Sequence, residues 1–354
     1  MIRNSKRSIA IYYEHPNWFV PLFAALDRRH VPYERVHADE HIYDVADGAP
    51  GYSLIFNRMS PSAHLRGRAH AIFHALQYLA HLKQLGIRVV NGYDAFVAET
   101  SKAFQLSLLD RLGLPYPRAR VISHPDEALA AAEGLRFPVV VKPNVGGSGA
   151  GIRRFDSRDA LRRTVRGREL DLGIDRTALV QEFIPAADDK IVRVEVVGGK
   201  YLYAISVETD GETFNLCPAD LCPPAEQAGP GESSGAAAGG ALPALPALPA
   251  LPAFPAASYS PPQHVVEAVE GILAAAQIEV GGVEYLVDAR DGQLYYYDIN
   301  ATSNFVADAP RVIGFDPFEP LVDYLEREAA AASDERGRPA RALKSPDRPS
   351  ILPA

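Results

Sequence analysis

Cysteine is scarce, with two residues in a chain of 354. That excludes a disulfide framework and favours a reducing, cytoplasmic setting. No apolar run approaches the roughly 20 residues of a membrane helix. After the basic start MIRNSKR the first apolar run lasts about four residues before Glu14 and His15, short of the roughly 7–15 of a secretory signal. Excess positive charge is lacking too: 36 basic against 44 acidic residues leave a net charge of −8. No basic field exists to hold nucleic acid or an anionic membrane, so neither is expected as a partner.

What is present is a strand–helix alternation with 47 % hydrophobic residues, enough for two or three packed units. Residues 8–13 read as a buried strand and 17–30 as an amphipathic helix. Residues 31–38 and 52–59 read as two further strands. Residues 64–86 read as a long helix with Leu65, Ile72, Phe73, Leu76 and Leu79 on one side, ended by Gly86. This order implies a parallel sheet with function at its carboxyl edge. One more helical stretch over 94–114 leads into a strand-rich half, interrupted by helices near 156–169 and 262–276. Residues 223–262, with Ala-Leu-Pro repeated four times, read as an unstructured insertion, because proline every third residue blocks a helix and a central strand. Residues 329–354 read as a disordered tail.

Three local features carry candidate chemistry. In VVVKPNVGGSGAGIRRF, residues 139–155, a strand delivers Lys142 and a small-residue loop follows. Glycines let backbone N–H groups approach anionic oxygens, and the lysine adds a point charge, which suits a polyphosphate; a plain hairpin has the same pattern. In GVEYLVDARDGQLYYYDINATSN, residues 282–304, a hairpin presents Glu284, Asp298 and Asn300. Asp298 and Asn300 share one strand face, and three converging oxygen ligands suit Mg²⁺, although an exposed Glu and an Asx turn would look alike. The third feature is VQEFI, residues 180–184, a strand running into Pro185.

In this order and spacing, together with TSKAFQLSLLDRLGLPYP and IVRVEVVGGKYLYAI, these segments resemble the ATP-grasp superfamily, specifically its RimK-like and glutathione-synthetase-like carboxylate–amine ligases. The resemblance implies an α/β and α+β ATP-grasp fold in three parts: an N-terminal parallel α/β domain (1–97), a central lid domain (98–175) and a C-terminal antiparallel-sheet core (176–328). It implies an ADP-forming ligase that makes an amide through an acyl phosphate. The alternative is an ATP-binding protein of this descent without ligase activity. ATP and one or two Mg²⁺ ions, or Mn²⁺, are the implied cofactors. A carboxylate and an amine, of amino-acid or peptide kind, are the implied substrates, and a homo-oligomer is left open.

Residue by residue, the resemblance implies that Lys102 and Lys142 hold the α- and β-phosphates, and that Gly146, Gly147, Ser148, Gly149 and Gly151 form the loop over them. Gln181, Glu182, Phe183 and Ile184 match the adenine hinge, and Asn215 joins the nucleotide contacts. Arg193, with Lys142, matches the catalytic cations, and Glu284, Asp298 and Asn300 match the metal ligands. The family's order of acids is Asp then Glu; here it is exchanged. Its ribose-binding Asp, two residues before the arginine, is Ile191 here, so Asp188 or Asp189 would have to substitute. His15, Asn17, Trp18, Arg58 and Ser60 follow strands that face the site and are candidates to touch substrate.

Overall fold

A computed structural model describes residues 8–46, 48–211, 214 and 255–337. The N-terminal sheet is parallel, as the alternation predicts. Its strands are β1 (Ile9–Tyr13), β2 (Tyr33–His37), β3 (Leu54–Arg58) and β4 (Val89–Val90), in the order β2-β1-β3-β4. Helices α1 (Val20–Arg28) and α2 (Ala69–Gln84) cover its two faces. The buried face of α2 is Ala71, Ile72, Ala75, Tyr78, Leu79 and Leu82. Leu65 and Phe73, expected on it, are exposed; Leu65 lies in a preceding 3₁₀ turn, and Phe73 sits around the helix from that stripe.

The helical stretch expected over 94–114 is two helices, α3 (Tyr93–Glu99) and α4 (Lys102–Arg111). Between them Ser101 turns extended, and its hydroxyl caps α4 by accepting the Phe104 N–H at 3.2 Å. The break sets Lys102 in the first turn of α4.

The lid sheet comprises β5 (Ala119–Ile122), β6 (Val139–Pro143), β7 (Arg153–Phe155) and β8 (Ala178–Glu182), in the order β5-β8-β6-β7. With α5 (Ala128–Ala131) and α6 (Arg158–Arg166) it encloses a core of its own around Val139, Val141, Leu161, Val165 and Val180. A lid ending at residue 175 would exclude β8, yet β8 pairs with both β5 and β6.

The second antiparallel sheet holds β9 (Lys190–Val197), β10 (Lys200–Glu208), β11 (Ala256–Tyr259), β12 (Val280–Val287) and β13 (Leu294–Asn300), in the order β11-β10-β9-β12-β13. Helix α7 (Gln263–Ala275) packs on one face. Helices α8 (Ala309–Ile313) and α9 (Phe318–Gly337) follow. Two readings from composition are corrected here. Residues 256–259, expected inside the unstructured insertion, pair with β10 from Ala204↔Tyr259 to Val207↔Ala256; the proline run ends at Pro255, and the next residues have N–H groups to give. The expected tail from residue 329 continues α9 to residue 337, since Leu325, Ala329 and Ala332 keep a helical spacing and are buried. Residues 223–254 and 338–354, and both cysteines, lie outside the described residues.

Helices α1 and α9 share a core with β1, β3 and β10, built from Ile11, Phe19, Leu22, Ile205, Leu321 and Leu325. The N-terminal and second antiparallel sheets are therefore fused, while the lid keeps its own core and adds Leu179 of β8 to the α7 core.

Candidate active site

A cavity opens between the lid sheet and the second antiparallel sheet. Strand alternation decides what faces it. On β9, Val192, Val194 and Val196 face the α7 core, so Arg193 and Glu195 face the other way. Across the sheet Arg193 registers with Glu284 of β12, and Glu284 with Asp298 of β13. Lys102 completes the row by donating its ammonium to Asp298. Two carboxylates thus lie side by side between two cations.

The Arg193 fork is fixed from three sides. Nε donates to Glu195 Oε1 at 2.6 Å, Nη1 to Glu284 Oε1 at 3.2 Å, and Nη2 to Ser303 Oγ at 3.2 Å. Ser303 in turn donates to Glu195 at 2.8 Å. Burial opposes the Arg193 charge, but Glu195 and Glu284 outweigh it and raise its pKa. Burial and the neighbouring Asp298 raise the Glu284 carboxyl. Burial acts the same way on Asp298, but Lys102 and Lys142 outweigh it and hold that carboxyl low. The Asn300 amide donates to Asp298 Oδ2 at 3.1 Å.

On the facing lid strand β6, Val139 and Val141 enter the lid core and Lys142 turns into the cavity. Burial, then the charge of Lys102, draws its ammonium down to about 8. Gly146, Gly147, Ser148 and Gly149 line the cavity beside it. Gly147 packs closely on Ser62, since a Cβ there would lie 3.0 Å from that of Ser62 and force it to shift. Gly151 does not line the cavity; it takes φ +74° where a Cβ would meet Pro143 at 2.8 Å, so it shapes the turn.

The cavity's other end is apolar, with Val140, Phe183, Ile184, Phe214 and Leu286. Gln181 lines it with a buried, unpartnered Oε1, while Glu182 Oε1 accepts the Arg136 N–H at 2.9 Å. Arg154 lies 4.5 Å over the Phe183 ring and donates to Gly211 O at 3.1 Å. Asn215 lies outside the described residues. Ile191 lines the cavity, but Asp188 and Asp189 are exposed and do not, so neither takes the place expected of it.

Trp18, Ser60, Ser62, Thr302 and Asn304 form the wall toward the N-terminal sheet. His15 stacks on Trp18 with centroids 4.2 Å apart, and burial, Arg66 and Arg68 lower its pKa to about 3. Arg58 is buried behind this wall, donating to Ser303 O and Asn304 Oδ1; Asn17 does not reach it. Sequence reading missed Glu195 and Ser303. For Glu195 a signal existed: it stands two residues after Arg193 and so shares its strand face.

Residues 99–216, which include α4, the glycine loop and β9, match the model of the RimK-like ATP-grasp domain. Over that third of its length the chain resembles a RimK-like ATP-grasp domain. A probable alpha-L-glutamate ligase of Pectobacterium carotovorum is 26 % identical over 197 residues, covering 51 % of this chain and 63 % of that protein. The chain spans about three fifths of the length of the first curated relatives it matches. The ATP-grasp ligase PsnB, solved with a phosphomimetic variant of a minimal precursor, Mg and ADP, superposes with TM-score 0.60 at 15 % identity, covering 90 % of this chain and 98 % of that one. A D-alanine–D-alanine ligase of Bacillus anthracis complexed with ATP gives 0.57 at 14 % identity, over 94 % and 100 %. The ATP-grasp fold expected from the sequence is the fold observed.

Proposed function

We propose that this ATP-grasp protein is an ADP-forming ligase that joins a carboxylate to an amine through an acyl phosphate. The observation that carries the reading is the charge row Arg193, Glu284, Asp298 and Lys102, facing Lys142 and the glycine loop across one cavity.

ATP fits with its base at the apolar end, where Gln181 offers an acceptor, and its phosphates against Lys102, Lys142 and the backbone N–H groups of residues 146–149. Glu284, buried, and Asp298, half-buried, two carboxylates that repel each other, form with Asn300 a donor set suited to a hard divalent cation. Magnesium held there supplies charge to the transferring phosphoryl group. PsnB, solved with Mg and ADP, supports both cofactors. Arg193, held rigid by Glu195 and Ser303, meets the charge that develops on that group as the substrate carboxylate attacks it. The amine then attacks the acyl carbon, the C–O bond to phosphate breaks, and phosphate leaves with the bonding pair. Closure of the lid excludes water from this intermediate. The neutral wall of Trp18, Ser60, Ser62 and Asn304 receives the amine, of amino-acid or peptide kind as among the relatives, and the cytoplasm is the proposed setting.

The experiment is ADP release from ATP and Mg²⁺ with panels of carboxylates and amines, with mass spectrometry of the products. Release that needs both additions and yields their condensation product is expected. Nucleotide binding with no release across amino acids, dipeptides and small carboxylates would favour the non-ligating alternative.

A further inference from the structure

Among the described residues four carboxylates line the cavity: Glu99, Glu182, Glu284 and Asp298. Glu284 and Asp298 form the acid row, and Glu182 stands at the apolar end with its Oε1 on the Arg136 N–H. Glu99, the last residue of α3, has no part yet in the proposed reaction.

Glu99 is 6 % exposed, and its Oε2 accepts the Ala301 N–H. Its Oε1 makes no hydrogen bond or ion pair among the described residues. Lys102 and Arg58 lend it positive charge and Asp298 negative charge, but none of the three bonds to it. Lys102 is given to Asp298, and Arg58 to Ser303 O and Asn304 Oδ1. Polar atoms of buried side chains are nearly always partnered, so an open carboxylate oxygen on a cavity wall points to a partner that arrives with a ligand. The bond to Ala301 fixes where that partner would stand. Ala301 lies between Asn300, at the end of the acid row, and Thr302, which lines the neutral wall with Ser60, Ser62 and Asn304. Glu99 is therefore held at the seam between the phosphate side and the amine side.

An aliphatic amine is protonated at neutral pH, and an ammonium has no lone pair with which to attack. It must lose one proton first, and a carboxylate on its side of the cavity can both hold the cation and take that proton.

We propose that Glu99 binds the incoming amine as its ammonium and accepts its first proton. The inference rests on the proposed ligase reading and adds the class of amine: a basic aliphatic amino group that arrives charged. The lone pair so released forms the C–N bond, and the C–O bond to phosphate breaks with its pair on phosphate. The second nitrogen proton leaves with the phosphate, and Glu99 returns its own to water.

The test offers the proteinogenic amino acids as carboxylates, with ATP and Mg²⁺, to the full chain. The nucleophile is either hydroxylamine or the same amino acids. Hydroxylamine is uncharged at neutral pH and attacks an acyl phosphate without a base, so hydroxamate reports acyl-phosphate formation. Glu99→Gln keeps an acceptor for the Ala301 N–H and removes the charge. Its amide formation should fall at least about a hundredfold, and its hydroxamate formation far less. Its amide rate should recover about tenfold for each pH unit, as the free amine does in solution. An equal fall in both rates, or a fall in neither, overturns the proposal. A second measurement needs no variant. Wild-type kcat/KM for the amine should stay nearly level across the neutral range, because the ammonium is the form taken. A wild-type rise of about tenfold per pH unit would show free amine entering from solution, and overturns the proposal as well. Wild-type protein that yields neither hydroxamate nor amide with any of these acids refutes the ligase reading itself.

Discussion

At Lys142, burial and the charge of Lys102 draw the ammonium down to about 8, while an entering phosphate favours the charged form. At pH 8 roughly half of the nucleotide-free molecules carry a neutral Lys142. ATP binding at pH 8 should therefore take up about half a proton through this group and at pH 6 almost none; calorimetry in buffers of different ionisation enthalpy reads the difference. Lys142→Met removes a charge-assisted contact worth about 1.5–3 kcal/mol, so ATP affinity should fall about ten- to a hundredfold. Unchanged affinity in a folded variant removes the phosphate role. Glu195→Gln should act differently, because Glu195 holds Arg193. Its expected mark is a fall in kcat with little change in ATP affinity, and a loss of affinity without loss of kcat would contradict it. These residues were not equally legible in the sequence. Lys142 and its glycines stand in one contiguous segment whose chemistry is local. Glu195 and Ser303 act on another side chain, 108 residues apart from each other in the chain, and leave no motif of their own.

Elements were legible where periodicity was strong and failed where composition was allowed to decide. The buried strands β1, β3, β6 and β9 follow from their runs of branched residues. Strand β11 and the second half of α9 were hidden by flanking Ala- and Pro-rich sequence, although one pairs with β10 and the other keeps an apolar stripe. A pair of deletions tests where the insertion ends. Replacing residues 226–252 with a short Gly/Ser linker should leave the melting temperature within a few degrees, because loop closure depends weakly on length. Extending the deletion to residue 259 strips β11 from the sheet edge and should lower the melting temperature clearly further. Equal melting temperatures for the two deletions would show that β11 contributes nothing.

At the scale of the whole molecule, Arg88 beside β4 joins regions far apart in the chain, donating to Glu279 at 2.7 Å and to Glu328 of α9 at 2.6 Å. Asn91 adds bonds to Val280 O at 2.6 Å and Ala301 O at 2.8 Å, and accepts the Glu279 N–H at 2.8 Å. Arg88→Met should cost about 2 kcal/mol, the scale of charged hydrogen bonds in a half-buried network, measured by denaturant unfolding of the full chain; a change under about 0.5 kcal/mol, the surface level, would show the network to be ornamental. The three-part organisation read from the sequence did not reveal this fusion, since the bonds join residues some 190 to 240 positions apart. Packing thus groups the described residues into two regions. One is the frame, in which the N-terminal sheet and the second antiparallel sheet share a core and cannot turn against each other without tearing it. The other is the lid, which has a core of its own, lends Leu179 of β8 to the α7 core, and also meets the frame at Gly147 on Ser62 and Arg154 on Gly211. Lys142 stands on the lid and Arg193 and both acids on the frame, whereas Lys102 is tied to both, its backbone N–H donating to Asn144 O at 3.2 Å and its ammonium to Asp298. The first turn of α4 is therefore a splice between the two regions: the same three residues, Ser101 to Ala103, hold Asn144 of the lid and, through Lys102, Asp298 of the frame.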